Sequence, residues 1–345
     1  MENAKMKSVI LFGDRVIDVY KVHYGRPGGY LDQKDGDGLQ HDWQSYETWD
    51  LIEKSGGVDM TADMLRDASP ALSILETVPY SGDGTRKLRP TLRSMAELGS
   101  CKFEYTTNHL PVSFKGLMHS EREKELTVRV VEFAGYAGHT EKGAVFKAKT
   151  STGHAEADII VINDAGNELR HSLDDPKNLF CSVFRSVAVS HIVMKMHMPL
   201  TDGLAWKKFK AASNAKSRTL ILSANDLRMK GVPLSRCLSW DAVANDFRTA
   251  LRMGNSVLKE IRKAKARVIV LFGVEAALIW ESGQAAPYFV LICDPMRAEG
   301  DIDKSLPGVS IGKMNRFLAA FVAALAEGSS AEVDRVRSAL LATRL

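Results

Sequence analysis

Apolar runs of five or six residues, each ending on polar or glycine positions, recur at 8–12, 157–162, 192–196, 219–223 and 267–272. Runs without alternation predict strands covered on both faces, as in a parallel sheet. Between them, 58–66, 204–212 and 240–261 carry apolar residues at helical spacing. Near the end Phe317, Ala320, Phe321, Ala324 and Leu325 keep one helical face apolar. This alternation predicts an α/β fold: a doubly wound, mostly parallel sheet with flanking helices. Two regions break the rhythm. The stretch 20–55 is polar and glycine-rich, and 101–149 alternates with period two, most clearly at 126–133. Both predict a small β lid over a cleft. With no internal repeat and no Pro- or Ser-rich linker, residues 1–345 read as one domain, its lid segments at about 20–55 and 101–149.

Composition narrows the class. The 345 residues are 45% hydrophobic and 26% charged, which excludes disorder, collagen and coiled coil for the whole chain. A chain this long buries a core without disulfide or metal staples. Forty-six Lys and Arg against forty-two Asp and Glu give +4, too mild for a dedicated nucleic-acid binder. The basic stretches Lys207-Lys208-Phe209-Lys210 and Arg262-Lys263-Ala264-Lys265 accordingly read as solvated helix faces. Cys101, Cys181, Cys237 and Cys293 have no metal-ligand spacing and read as buried, reduced thiols. No apolar stretch is long enough for a bilayer and the start lacks a secretory pattern, so a cytoplasmic protein without a membrane partner is expected.

Several familiar motifs fail. Gly308-Val-Ser-Ile-Gly312-Lys313-Met314 is one residue short of a phosphate loop, and Met314 replaces the Ser or Thr that would hold Mg²⁺. No GxGxxG follows the first strand. The acidic turn 32–38 lacks the ligand periodicity of a calcium loop. The nine histidines include no HExxH, and no metal site is expected.

One ordered set of motifs carries chemistry. The first strand runs into Gly13-Asp14-Arg15-Val16-Ile17-Asp18, which predicts a carboxylate just past the C-terminal end of the strand, where α/β folds bind ligands. Gly56-Gly57 opens an amphipathic helix, Asn163-Asp164 and Asn225-Asp226 end two strands, and Gly312 precedes the C-terminal helix. Glycines at helix starts let a ligand approach the backbone. Together with Thr127-Val128-Arg129-Val130-Val131, Gly273 before Glu275-Ala276-Ala277-Leu278-Ile279, and Ala323 to Gly328, this order resembles the ribokinase (PfkB) family of carbohydrate and nucleoside kinases. The opening Gly-Asp-x-x-x-Asp is nearest to the heptose kinase branch.

The resemblance implies a sugar or nucleoside under the lid, contacted by Asp14, Asp18, Gly56, Gly57 and Met60. It implies ATP, with Mg²⁺, across Asp164, Asn225, Arg228, Gly273, Gly312, Lys313 and Met314. It also implies a backbone anion hole and an aspartate base at the start of the C-terminal helix. Here that position is Asn315, which has no basic lone pair near neutral pH. Met60 replaces a substrate-binding Asn, Asn167 a Lys, and Arg228 the carboxylate of an Asn-x-x-Glu motif.

Blander readings accompany each residue. Asp14 and Asp18 suit a turn, Gly56-Gly57 a helix entry, Asn225-Asp226 an N-cap, and Lys313 an exposed lysine at a helix start. Trp206, Trp240 and Trp280 read as core. The resulting expectation is a ribokinase-like protein, degenerate as a kinase, that binds a nucleoside, nucleotide or sugar as a sensor or complex subunit. The alternatives are an active kinase using Asp301 or Asp303 (Asp294 also precedes the signature) as base, and an interaction subunit without small ligand. A homodimer through the lid and a protein partner are further expectations, since lid strands offer free edges.

Overall fold

The computed structural model describes residues 7–24, 49–76, 78–80, 125–139, 156–165, 188–197, 204–212, 215–235, 239–281, 284, 286–291, 312–328 and 331–343. Its strands are β1 (Ser8–Tyr24), β2 (Trp49–Gly56), β3 (Ser73–Glu76), β4 (Val78–Tyr80), β5 (Glu125–His139), β6 (Glu156–Asp164), β7 (Ala188–Met196), β8 (Ala215–Ser223), β9 (Arg267–Phe272), β10 (Ala276–Glu281) and β11 (Tyr288–Leu291). The described helices are α1 (Gly57–Ala68), α2 (Leu204–Ala211), α3 (Ala224–Met229), α4 (Trp240–Arg252), α5 (Ser256–Lys263), α6 (Lys313–Glu327) and α7 (Glu332–Ala342).

The main sheet runs β3-β1-β6-β7-β8-β9-β10-β11, the first six strands parallel and β10 antiparallel to both its neighbours, β9 and β11. Both faces are covered, as the uninterrupted apolar runs require. Ile10, Ile160, Ile192, Leu220 and Val270 face one way, under Trp206, Phe209, Leu227, Trp240, Phe247 and Leu258 of α2 to α5. Val9, Val161, Val193, Ile221 and Ile269 face the other way, under Val58 and Leu65 of α1, Phe317 and Phe321 of α6, and Val336 of α7. The doubly wound α/β expectation is therefore met, and Trp206, Trp240 and Trp280 are core residues.

Strand β1 belongs to two sheets. Its first half lies between β3 and β6. Pairing with β6 ends at Gly13, where antiparallel pairing with β5 begins, and Val16 to His23 then pair with β2 on the other side. With β4 on the outer edge of β5, these segments form the antiparallel lid sheet. A small antiparallel sheet is thus present, but it takes in 13–19 and β4, which the sequence reading left out of it; of the expected lid segments only 20–24, 49–55 and 125–139 are described, and 25–48, 101–124 and 140–149 lie outside the described residues.

Two sequence expectations are corrected. The first strand does not stop at residue 12 but continues to Tyr24, so Gly13, Asp14 and Asp18 sit within a strand and not in a turn. The helical stretch 240–261 is two helices. Gly254 at φ 73 breaks it, and the Asn255 side chain caps the new start by accepting from the Val257 and Leu258 amides. The apolar run after Gly273, to which the sequence reading gave no conformation, is the hairpin strand β10, reached through a turn that Gly273 permits at φ 58.

Candidate functional site

The chain leaves β1 for β3 on one side and later returns to place β6 on the other. The carboxyl ends of β1 and β6 therefore flank a topological switch point, where open α/β sheets bind ligands. Gly13 and Asp14 lie at the end of β1's main-sheet half, and Asn163 and Asp164 end β6 beside them. Close approach requires the glycine: a Cβ on Gly13 would lie 2.5 Å from the Asn163 carbonyl oxygen and 2.9 Å from Val58 Cβ. Helices α1 and α6 begin over this switch point and pack against each other.

A buried polar cluster fills that junction. Asn163 and Thr61 are fully buried, and Lys195 and Asn315 are each 7% exposed. Lys195 Nζ, rising from β7, donates to Asn163 Oδ1 at 2.9 Å and Asn315 Oδ1 at 2.8 Å. Asn163 Nδ2 lies 2.9 Å from the Gly57 carbonyl, 2.7 Å from Thr61 Oγ1 and 3.1 Å from Asn315 Oδ1. Asn315 Nδ2 faces Met60 Sδ at 3.4 Å. The cluster thereby ties the first turn of α1, the ends of β6 and β7, and the first turn of α6 into one unit. Buried polar groups satisfied in this way hold a unique arrangement.

Two helix starts meet here without side-chain caps. Gly56 precedes α1, and Gly312 precedes α6 at φ 81. Their leading amides carry the positive end of the helix dipole. Met60 bridges the two: its Cε lies 2.5 Å from where a Gly312 Cβ would stand. Lys313 is only 9% exposed, which corrects the reading of an exposed lysine at a helix start. Met314 packs against the aliphatic core on this face.

Asp14 is fully buried and accepts the Ala165 amide at 3.0 Å, joining β1 to the chain leaving β6. Asp18 pairs through its backbone with Lys54 and Val131 in the lid sheet. Asp164 is fully buried at the end of β6, and its carbonyl accepts the His197 amide at 3.1 Å. Asp301, Asp303 and Asp294 lie outside the described residues, as do Asn167 and the four cysteines.

The ends of β7 and β8 are built differently. Ser223, not Asn225 or Asp226, caps α3 by accepting the Asp226 amide at 3.0 Å. Asp226 is 1% exposed and meets His197 Nδ1 at 3.1 Å. Arg228 is committed to the protein: it donates to the Leu234 and Ser235 carbonyls at 2.9 and 2.8 Å and to Asn225 Oδ1 at 3.0 Å, and it lies over Phe272. That guanidinium pins the loop after α3 where the resemblance expects a carboxylate. Among the described residues no three His, Cys, Asp or Glu side chains converge on a metal position. The described donor set does not fit Mg²⁺, whose hard coordination shell takes carboxylates and phosphates.

The sequence reading missed Lys195, Thr61 and the His197–Asp226 contact. The available signal was a lone lysine inside the apolar run Ile192-Val193-Met194-Lys195-Met196, a position that must find polar partners.

No family model matches the chain, and no curated protein matches it in sequence. Similar solved structures include the apo adenosine kinase of Trypanosoma brucei brucei, 10% identical over 99% of this chain and 98% of that one, with a TM-score of 0.47. An Anopheles gambiae adenosine kinase in complex with P1,P4-di(adenosine-5) tetraphosphate is 9% identical over 98% and 94%, at 0.44. The apo fructokinase of Vibrio cholerae O395 is 12% identical over 98% and 97%, at 0.43.

Proposed function

We propose that this chain is a single ribokinase-like domain, degenerate as a kinase, that binds a nucleoside, nucleotide or sugar beneath its lid as a sensor or complex subunit. The observation that carries the reading is the state of Asn315. Its carbonyl oxygen accepts from Lys195 and Asn163 while its amide faces Met60. The group standing where the resemblance expects a proton acceptor is therefore a neutral amide held inside a buried cluster. Loss of a general base commonly removes about 10² to 10⁴ in rate.

Met60 adds to this. Its thioether lies against Gly312, the position whose backbone would open an anion hole for a transferring phosphoryl group. Arg228, tied to two carbonyls, supplies no ligand for Mg²⁺. What supports ligand binding is the topological switch point with two glycine-led helix starts and a lid sheet continuous with β1. ATP belongs to this reading as a ligand of the α6 start rather than as a phosphoryl donor. Self-association through the lid is supported by β2 and β4, each of which pairs on one side only among the described residues. Among those residues no helix is long and apolar enough to cross a membrane.

Isothermal titration of the wild type and Gly312→Val with pooled nucleosides, nucleotides and sugars tests the binding half. Valine at φ 81 is strained and its Cβ displaces Met60, so affinity for the bound pool member is expected to fall about tenfold. Absence of binding by any pool member contradicts the reading and leaves an interaction subunit.

A further inference from the structure

The amidic edge of the crevice is not the only place where the fold gathers positive charge. At the opposite end of the parallel strands, α4 and α5 border an open groove of ≈ 510 Å³ lined by Asn245, Arg248, Thr249, Arg252, Arg262 and Gln284, with Leu251 at its wall. Its position follows from connectivity. Helix α5 ends at Lys263 just before β9 begins, and Gln284 follows the end of antiparallel β10, so both mark the amino end of β9. The Lys195–Asn163–Asn315 cluster lies at the carboxyl ends of the parallel strands.

Three guanidiniums share this groove, and none of its lining residues is acidic. Arg248 and Arg252 stand one helical turn apart on α4, a like-charge spacing that destabilises a helix on its own. Each donates only to a neutral neighbour on its own helix: Arg248 to Asn245 Oδ1 at 3.0 Å, Arg252 to Thr249 Oγ1 at 3.3 Å. The nearby carboxylates are engaged elsewhere. Glu260 holds Lys210 and Lys263, and Asp246 accepts from Ser235. Arg252 and Arg262 lie in the last turns of their helices, where the dipole favours cations. Two helix ends offer about one negative charge between them, against three positive ones.

We infer that this groove is a binding site for a compact ligand carrying two or more phosphate groups, separate from the switch-point crevice. Guanidiniums match phosphate oxygens bidentately and tolerate partial burial better than ammonium groups. The volume falls within the range of small-molecule sites, roughly 300 to 1,000 Å³. The Asn245, Thr249 and Gln284 side chains add neutral donors and acceptors for the rest of such a ligand. The inference does not depend on the reading of the crevice.

The test is titration of the full chain with inorganic tripolyphosphate at two salt concentrations, with citrate as a polycarboxylate control. Expected are binding that weakens as salt rises, weaker binding of citrate, and an affinity at least about tenfold lower in Arg248→Gln/Arg262→Gln. Lys207→Gln, an exposed charge on α2, should leave the affinity unchanged. The three arginines are exposed, so the double variant keeps the core intact. No binding by the wild type overturns the proposal. So does equal binding of citrate, and so does binding that survives the arginine variant but is lost in Lys313→Gln.

Discussion

The two faces of the main sheet are stabilised by different means. On one face α3, α4 and α5 each begin with a side-chain cap, from Ser223, Ser239 and Asn255, and the core beneath holds seven buried aromatic side chains among the described residues. Trp240, Phe272 and Phe289 form a cluster with ring centroids 5.4 to 5.6 Å apart, and Phe247 meets Trp280 edge-on at 5.4 Å. On the other face α1 and α6 begin at glycines without a side-chain cap, and the core beneath holds two buried aromatic side chains among the described residues, Phe317 and Phe321. Their first turns are tied through the Lys195–Asn163–Asn315 cluster instead. A capped helix start has its leading amides satisfied from within. An uncapped start beside a buried polar cluster leaves them open to water or, on the proposed reading, to a ligand. The first face is a scaffold, and the second combines packing with the candidate site.

The largest effect that separates the faces is expected from Phe247→Ala. The ring is fully buried, so truncation should cost about 3–5 kcal/mol, read as a lower denaturation midpoint. Ligand affinity of the remaining folded protein should be unchanged. On the opposite face, Asn315→Leu withdraws one acceptor from buried Lys195 and should cost about 2 kcal/mol. Unlike Phe247→Ala, it should also weaken ligand binding; an unchanged affinity would place the ligand elsewhere.

A smaller difference concerns the caps. Ser239→Ala removes the acceptor of the Ala242 amide and should cost about 1 kcal/mol in chemical denaturation. Gly312→Ala also destabilises, through φ 81, but should act on affinity as well. Smallest is a pH effect on the scaffold face. Hydrogen bonds from Lys210 and Lys263 lower the Glu260 carboxyl from 4.5 to about 2. A depressed carboxyl adds stability above pH 4.5, and this is lost as pH falls from 4.5 toward 2. With Lys263 exposed to solvent, the contribution is less than about 1 kcal/mol. Glu260→Gln should flatten the acid limb of the stability curve, and an unaltered limb would remove this pair from the account.

The same asymmetry explains how much was legible in the sequence. Strands β6 to β9 announced themselves as continuous apolar runs because both faces are buried, and α6 did so through its apolar stripe. The lid was legible as a break in that rhythm and as the alternation at 126–133, but the passage of β1 from one sheet to the other at Gly13 was not, since it is set by which strands pair on either side. The division between α4 and α5 was hidden because Leu258 and Ile261 continue the helical spacing across Gly254. At the site, Gly56, Gly57, Gly312 and Asn315 were visible as motif positions. Lys195 was not, because strand periodicity names a buried position without naming its partner. The partner, Asn315, lies 120 residues away in sequence.

Phosphoryl transfer bears most directly on the claim that the crevice binds without catalysing. Wild-type protein incubated with γ-labelled ATP, Mg²⁺ and the pooled sugars and nucleosides should yield no labelled product, while titration of the same preparation detects binding. Sustained transfer to any pool member would contradict the account and direct attention to Asp301 and Asp303 as the base.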